Sequence, residues 1–126
     1  MSHFSTIKTK ITKKTALLEA LEILQYDVQE DQLLINPIDH QHEKVKVDVS
    51  IGNDIGFRLN KDGVYELVAD IQTWKSPVPP KRFIEKVTQQ YARMTVHNTM
   101  KEEGWQVAEE WEMDDNSIEL TVTRWN

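Results

Sequence analysis

Two aspartates and an arginine are the first residues whose placement could do chemistry. Asp54, Arg58 and Asp70 fall in the stretch DIGFRLNKDGVYELVADIQTW, on either side of the turn sequence Asn60-Lys61-Asp62-Gly63. If the stretch folds as a hairpin, Asp54 opens one strand and Asp70 closes its partner, so the carboxylates approach across the ladder. Two close carboxylates can split their pKa values and divide acid and base roles. The competing reading is a scaffold hairpin, because aspartate often ends a strand. We take the scaffold reading as the expectation and keep Asp54, Arg58 and Asp70 as the alternative ligand site.

A second group is Asp39, His40, His42 and Glu43 in DHQHE. A His-x-His pair on a strand would aim both imidazoles to one side, as a metal site requires. Here the pair follows a proline in a polar loop and lacks a third ligand, so the expectation is no metal and no cofactor. Glu109, Glu110, Glu112, Asp114 and Asp115 form an acidic run without the looped spacing of a calcium site, which reads as a solvated face. No P-loop, dinucleotide fingerprint, HExxH helix or nucleophile elbow is present. Catalytic residues are therefore not assigned.

Tryptophan is the better clue. The chain holds Trp74, Trp105, Trp111 and Trp125. Alternation puts Trp105 and Trp111 on one strand face with Val107, which predicts that both fill the core. Trp125 is out of phase with Ile118, Leu120 and Val122 and points the other way, beside Arg124. Trp74 sits in a proline-flanked loop. Exposed tryptophan and arginine favour interfaces, so Trp74, Arg124 and Trp125 are the expected interface residues.

Elements of regular structure must position these groups. The stretch His3–Ile11 alternates as a strand. Thr12 can cap a helix to about Gln25, with Leu17, Leu18, Leu21 and Leu24 as its apolar stripe. YDVQEDQLLIN reads as two short strands with a turn near Glu30–Asp31. Val45 to Ile51 alternates cleanly, with its valines and isoleucine on one face and Lys46, Asp48 and Ser50 on the other. The hairpin that carries Asp54, Arg58 and Asp70 follows, with Gly63 supplying a positive φ. Pro80 suits the first turn of a long helix with Phe83, Ile84, Val87, Tyr91, Met94 and Val96 on one face, stopped by Gly104. A final hairpin turns at Asp114–Asn116. Strand-to-strand links are too short for parallel crossovers. The fold class is α+β: a single antiparallel sheet of about six to seven strands, with two helices packed on one face.

The chain has 126 residues, 39% hydrophobic and 29% charged, which suits a single domain over 1–126. The net charge of −6 argues against nucleic acid as a partner. Lys8, Lys10, Lys13 and Lys14 make one local basic patch. Cysteine is absent, which removes disulfides, thiolate metal sites and thiol nucleophiles. The first residues carry no signal-like apolar run, and no segment reaches the roughly 18 apolar residues of a membrane span.

Taken in order, MSHFSTIKTKI, DIGF, YELVADIQTW, FIEKVTQQYA, GWQVAEEWE and LTVTRW resemble the family known as hypothetical chloroplast reading frame thirty-five, found in cyanobacteria and red-algal-type plastids. The resemblance spans essentially the whole chain. It implies a plastid stroma or a cyanobacterial cytoplasm and assigns no catalytic residue. One departure lies at PIDHQHE, where relatives often carry a glycine- and arginine-containing segment. The functional expectation is a non-enzymatic accessory protein that binds a protein partner, with a small ligand-binding domain or enzyme using the central carboxylates as the alternative.

Overall fold

Val49, Phe57 and Leu67 stand side by side on three neighbouring strands, and the fold is built on that row. In the computed structural model, which describes residues 4–35, 44–52, 54–115 and 117–124, the elements run β1 (Ser5–Lys8), α1 (Lys14–Ile23), β2 (Val28–Ile35), β3 (Lys44–Ile51), β4 (Ile55–Leu59), β5 (Tyr65–Ala69), a 3-10 turn (Ile71–Thr73), α2 (Pro80–Glu102), β6 (Trp105–Glu112) and β7 (Ile118–Arg124). The strands β1-β5-β4-β3-β2 form an antiparallel sheet in that order. β2 to β5 is a meander, while β1 and β2 are the two edges. The α1 connection therefore crosses the sheet from one edge to the other.

Both helices pack on the face that carries the row. Leu17 and Leu21 from α1 and Phe83 and Val87 from α2 close over Val49, Phe57 and Leu67 in one buried cluster. Each such side chain contributes about 1.5–3 kcal/mol by leaving water. Phe83 is the centre of an aromatic group, with ring centroids 5.5 Å from Tyr26, 5.6 Å from Trp74 and 6.2 Å from Phe57. Pro80 opens α2 and Gly104, at φ +84°, follows its end, both as the sequence indicates.

The single sheet of six to seven strands is not what forms. The strands divide into a five-stranded sheet and a separate two-stranded sheet, β6–β7. Period-two patterning identifies a strand but not its partner. The final hairpin instead lies against α2, and two of its inward residues are glutamates that meet α2 side chains. Two further expectations change. Thr12 does not cap α1: the cap position is Lys13, with no side-chain hydrogen bond. The Tyr91 hydroxyl accepts from the Thr12 and Lys13 amides instead, at 3.1 and 3.0 Å. β2 also runs unbroken through Glu30 and Asp31, with Asp31 held at φ +53° rather than in a turn.

That Asp31 conformation goes with a change of face in the β2–β3 ribbon. Val47 and Val49 are two residues apart and would share a face in a regular strand. Val49 joins the helix-covered core, whereas Val47 joins a second cluster with Leu34 and Val68. Val68 adjoins Leu67 in β5 and so points away from the helices. The clean alternation expected of Val45 to Ile51 is thus split at Asp48, whose carboxylate takes the Leu59 amide at 2.7 Å. The outer half of the ribbon curls over the far face of the sheet.

Gly56 makes the curl possible. A Cβ there would lie 2.8 Å from Val47 Cγ2 and 2.9 Å from the Val49 carbonyl oxygen. Gly56→Ala should therefore destabilise the chain by about 2 kcal/mol, through overpacking of a site that includes backbone. Gly63 has φ +80° with open space around it, so Gly63→Ala should cost only about 1 kcal/mol. Denaturant unfolding of both variants checks the order, and a Gly56→Ala chain as stable as the parent would rule out the close approach.

Candidate functional site

Among the described residues, those singled out in the sequence lie at separate places in the fold. Ile55 pairs with Ala69, so Asp54 and Asp70 lie just beyond the last pair of the β4–β5 ladder, and Arg58 stands opposite Glu66. Alternation from Phe57 puts Arg58 on the sheet face away from the helices, while Asp54 and Asp70 lie outside the two strands. Asp70 is 2% exposed. Its Oδ1 accepts from the Gln72 amide at 2.9 Å and caps the 3-10 turn. Its carbonyl oxygen accepts from the Thr73 hydroxyl at 3.4 Å.

Trp74 turns inward: its Nε1 donates to the Val78 carbonyl at 2.7 Å while its ring meets Phe83 edge-on. Arg124 lies over the Trp105 ring, 5.0 Å from the centroid, in a cation–π contact. Trp125 lies outside the described residues, as do Asp39, His40, His42 and Glu43. Among the described residues no three acidic or imidazole groups come together as a metal site. Of the lysines near the start, Lys14 lies 2.6 Å from Glu30 on β2.

The cluster that sequence reasoning missed joins α2 to β6. Glu110 is bound by the Arg93 guanidinium through Nε and by His97 Nε2 at 2.7 Å. Gln90 accepts from Arg93 at 3.2 Å, and Gln89 donates to Glu112 at 3.3 Å. Burial alone would push Glu110 upward, but hydrogen bonds and charge from Arg93 and His97 outweigh it and hold the carboxyl below its ordinary value. The group stays ionised and tied. Arg93 and His97, four apart on a helix, share one face. That spacing was the available signal, but the acidic run of β6 gave no reason to select Glu110.

A bulge decides which hairpin residues face α2. The β6–β7 register shifts between Val107 and Glu109, and the extra residue inverts the alternation beyond it. Val107 pairs with Val122, Glu110 with Leu120 and Glu112 with Ile118 on the inner face. Trp111 pairs with Glu119 on the outer face and is 49% exposed, not in the core as the alternation indicates. Glu109 and Thr121 flank it on the same face, and Met113 follows, also exposed. Among the described residues Glu109, Asp114 and Glu119 form no ion pair. At the turn, the Ser117 hydroxyl and amide donate to Asp115 and hold its carboxyl below the ordinary range. The outer face of β6–β7 is thus an acidic surface with a half-exposed tryptophan in it.

Comparison with known proteins yields relatives without an assigned activity. Residues 20–121 match the model of a family described as Protein of unknown function (DUF1257). The chain is 36% identical over 136 residues to "Uncharacterized protein ycf35" of Pyropia yezoensis, covering 100% of this chain and 99% of the relative. It is 32% identical to the protein of the same name in Cyanophora paradoxa, over 99% of this chain and 98% of the relative. It is also 32% identical to the one in Guillardia theta, with the same coverage. No solved structure matches the chain.

The Glu110 cluster has a pH signature. A carboxyl whose pKa is lowered on folding stabilises above its unfolded value, and the contribution is lost as pH falls through the folded value. Glu110→Gln should therefore lower the melting temperature at neutral pH. The difference from the parent should shrink below pH 4.5, the ordinary value of the group. A melting difference that is constant from neutral to strongly acid pH would mean that Glu110 is not held by charge.

Proposed function

The chain belongs to the family described as Protein of unknown function (DUF1257), and from that premise we propose that it is a non-enzymatic accessory protein that works by binding a protein partner. The relatives' shared name, ycf35, and the resemblance to hypothetical chloroplast reading frame thirty-five support action in the plastid stroma or the cyanobacterial cytoplasm. Among the described residues, no helix is long and apolar enough to cross a membrane.

The observation that carries this reading is Trp111. A tryptophan half in water, on the outer face of a hairpin that joins no larger sheet among the described residues, costs apolar hydration that a partner would relieve. Acidic neighbours without ion pairs give the surface a charge for choosing its partner. Among the described residues, the carboxylates with a resolved shift, Glu110 and Asp115, are both pushed down and held in hydrogen bonds. A general acid needs the opposite shift. The alternative site at Asp54, Arg58 and Asp70 has less support, because Asp70 already caps a turn. The net charge of −6 weighs against a nucleic-acid partner.

The test is parallel capture from a cyanobacterial or plastid extract with the parent chain and with Trp111→Ala. The parent should retain a protein that the variant loses, while the melting temperatures of the two chains agree within a degree or so, as expected for an exposed position. Equal capture by both chains would remove Trp111 from the reading. A melting temperature lowered by several degrees would make Trp111 a packing residue.

A further inference from the structure

The outer face of the curled β2–β3 ribbon has the composition that the Trp111 face lacks. Leu34 and Val45 are paired and point into the second cluster, so their neighbours point outward. Those neighbours are the cross-strand pairs Leu33–Lys46 and Ile35–Lys44. Leu33 is 55% and Ile35 41% exposed, and both lysines are exposed. Neither lysine forms an ion pair among the described residues. Aliphatic and basic side chains thus alternate across the outer end of one small antiparallel ribbon, while the next residues in phase, Asp31 and Asp48, are acidic, with Asp48 engaged by the Leu59 amide. Across another, β6–β7, an aromatic side chain alternates with acidic ones: Trp111 opposite Glu119, and Glu109 opposite Thr121.

We propose that the acidic, tryptophan-bearing face of β6–β7 docks on the basic, aliphatic face of β2–β3 in a second copy of this chain. This rests on the reading of the Trp111 face as a docking surface and names its occupant. Trp111 would cover Leu33 and Ile35, and Glu109 and Glu119 would meet Lys44 and Lys46. The two faces are different surfaces of one chain, so the contact is head-to-tail and lets copies add in series. Each face holds only a few residues, well under the area of a standard stable interface. The association is accordingly weak, concentration-dependent and sensitive to salt.

Sedimentation velocity on the purified chain tests this. Between about 10 and about 500 µM at low salt, the weight-average sedimentation coefficient should rise with concentration, and about 0.5 M NaCl should abolish the rise. Lys44→Glu with Lys46→Glu, and separately Trp111→Ala, should each weaken association about tenfold or more. An equimolar mixture of those two variants retains one intact acidic face and one intact basic face. It should form a dimer and nothing larger. A parent chain that stays monomeric throughout overturns the proposal, and so does a lysine variant that associates like the parent or a mixture that stays monomeric. If the parent is monomeric yet Trp111-dependent capture from extract holds, the docking surface stands and its occupant is a different protein.

Discussion

Phe83 fixes α2 on the sheet, and α2 organises the rest of the molecule. The ring is 2% exposed and meets aromatic rings from the link between α1 and β2, from β4 and from the loop before α2. One turn further along, Val87 completes the seat. Beyond it Tyr91 still packs against the core, and the helix takes on other work. Tyr91 closes the amides at the start of α1, and Arg93 and His97 hold the second hairpin. A two-stranded hairpin is marginal by itself and needs a packing surface. A 23-residue helix, about 34 Å long, is long enough to serve as both core element and platform.

The two hairpins depart from the simple layered plan for related reasons. In β2–β3 a positive-φ aspartate accompanies a change of face, so that Leu34, Val45 and Val47 cover the far side of the sheet. In β6–β7 a bulge changes the phase, so that Glu110 faces α2 and Trp111 faces out. In both, one local irregularity exchanges inner for outer residues. The outcome is a pair of outward faces of opposite charge, each carrying apolar side chains, and the functional reading rests on them.

Much of the architecture was legible in the sequence. Leucine spacing marked α1, Pro80 and Gly104 bounded α2, and Asn60 to Gly63 marked the central hairpin. Alternation located β6 and β7 as strands. What it could not supply was phase and partner. A bulge adds one residue with no compositional mark, and Ala108 gives no sign that the register shifts beside it. Asp31 is a residue that tolerates positive φ, but nothing in QEDQ separates a turn from a twisted strand. Of the candidate sites, Asp70 was visible as a residue at a strand end, and its role as a cap fits that place. Arg93, His97 and Glu110 are separated by a helix end and a strand start. Only the packing of β6 on α2 brings them together.

The β6–β7 hairpin stands apart from the five-stranded sheet among the described residues, tied to Arg93 and His97 of α2 by Glu110, with Gln89 reaching Glu112, and it presents Trp111 outward. Native-state hydrogen exchange of the parent and of Glu110→Gln tests it most directly. The variant should lose protection together over Trp105–Glu112 and Ile118–Arg124, while the amides of β3, β4 and β5 keep theirs. A uniform loss across both sheets, or unchanged protection in the hairpin, would contradict it.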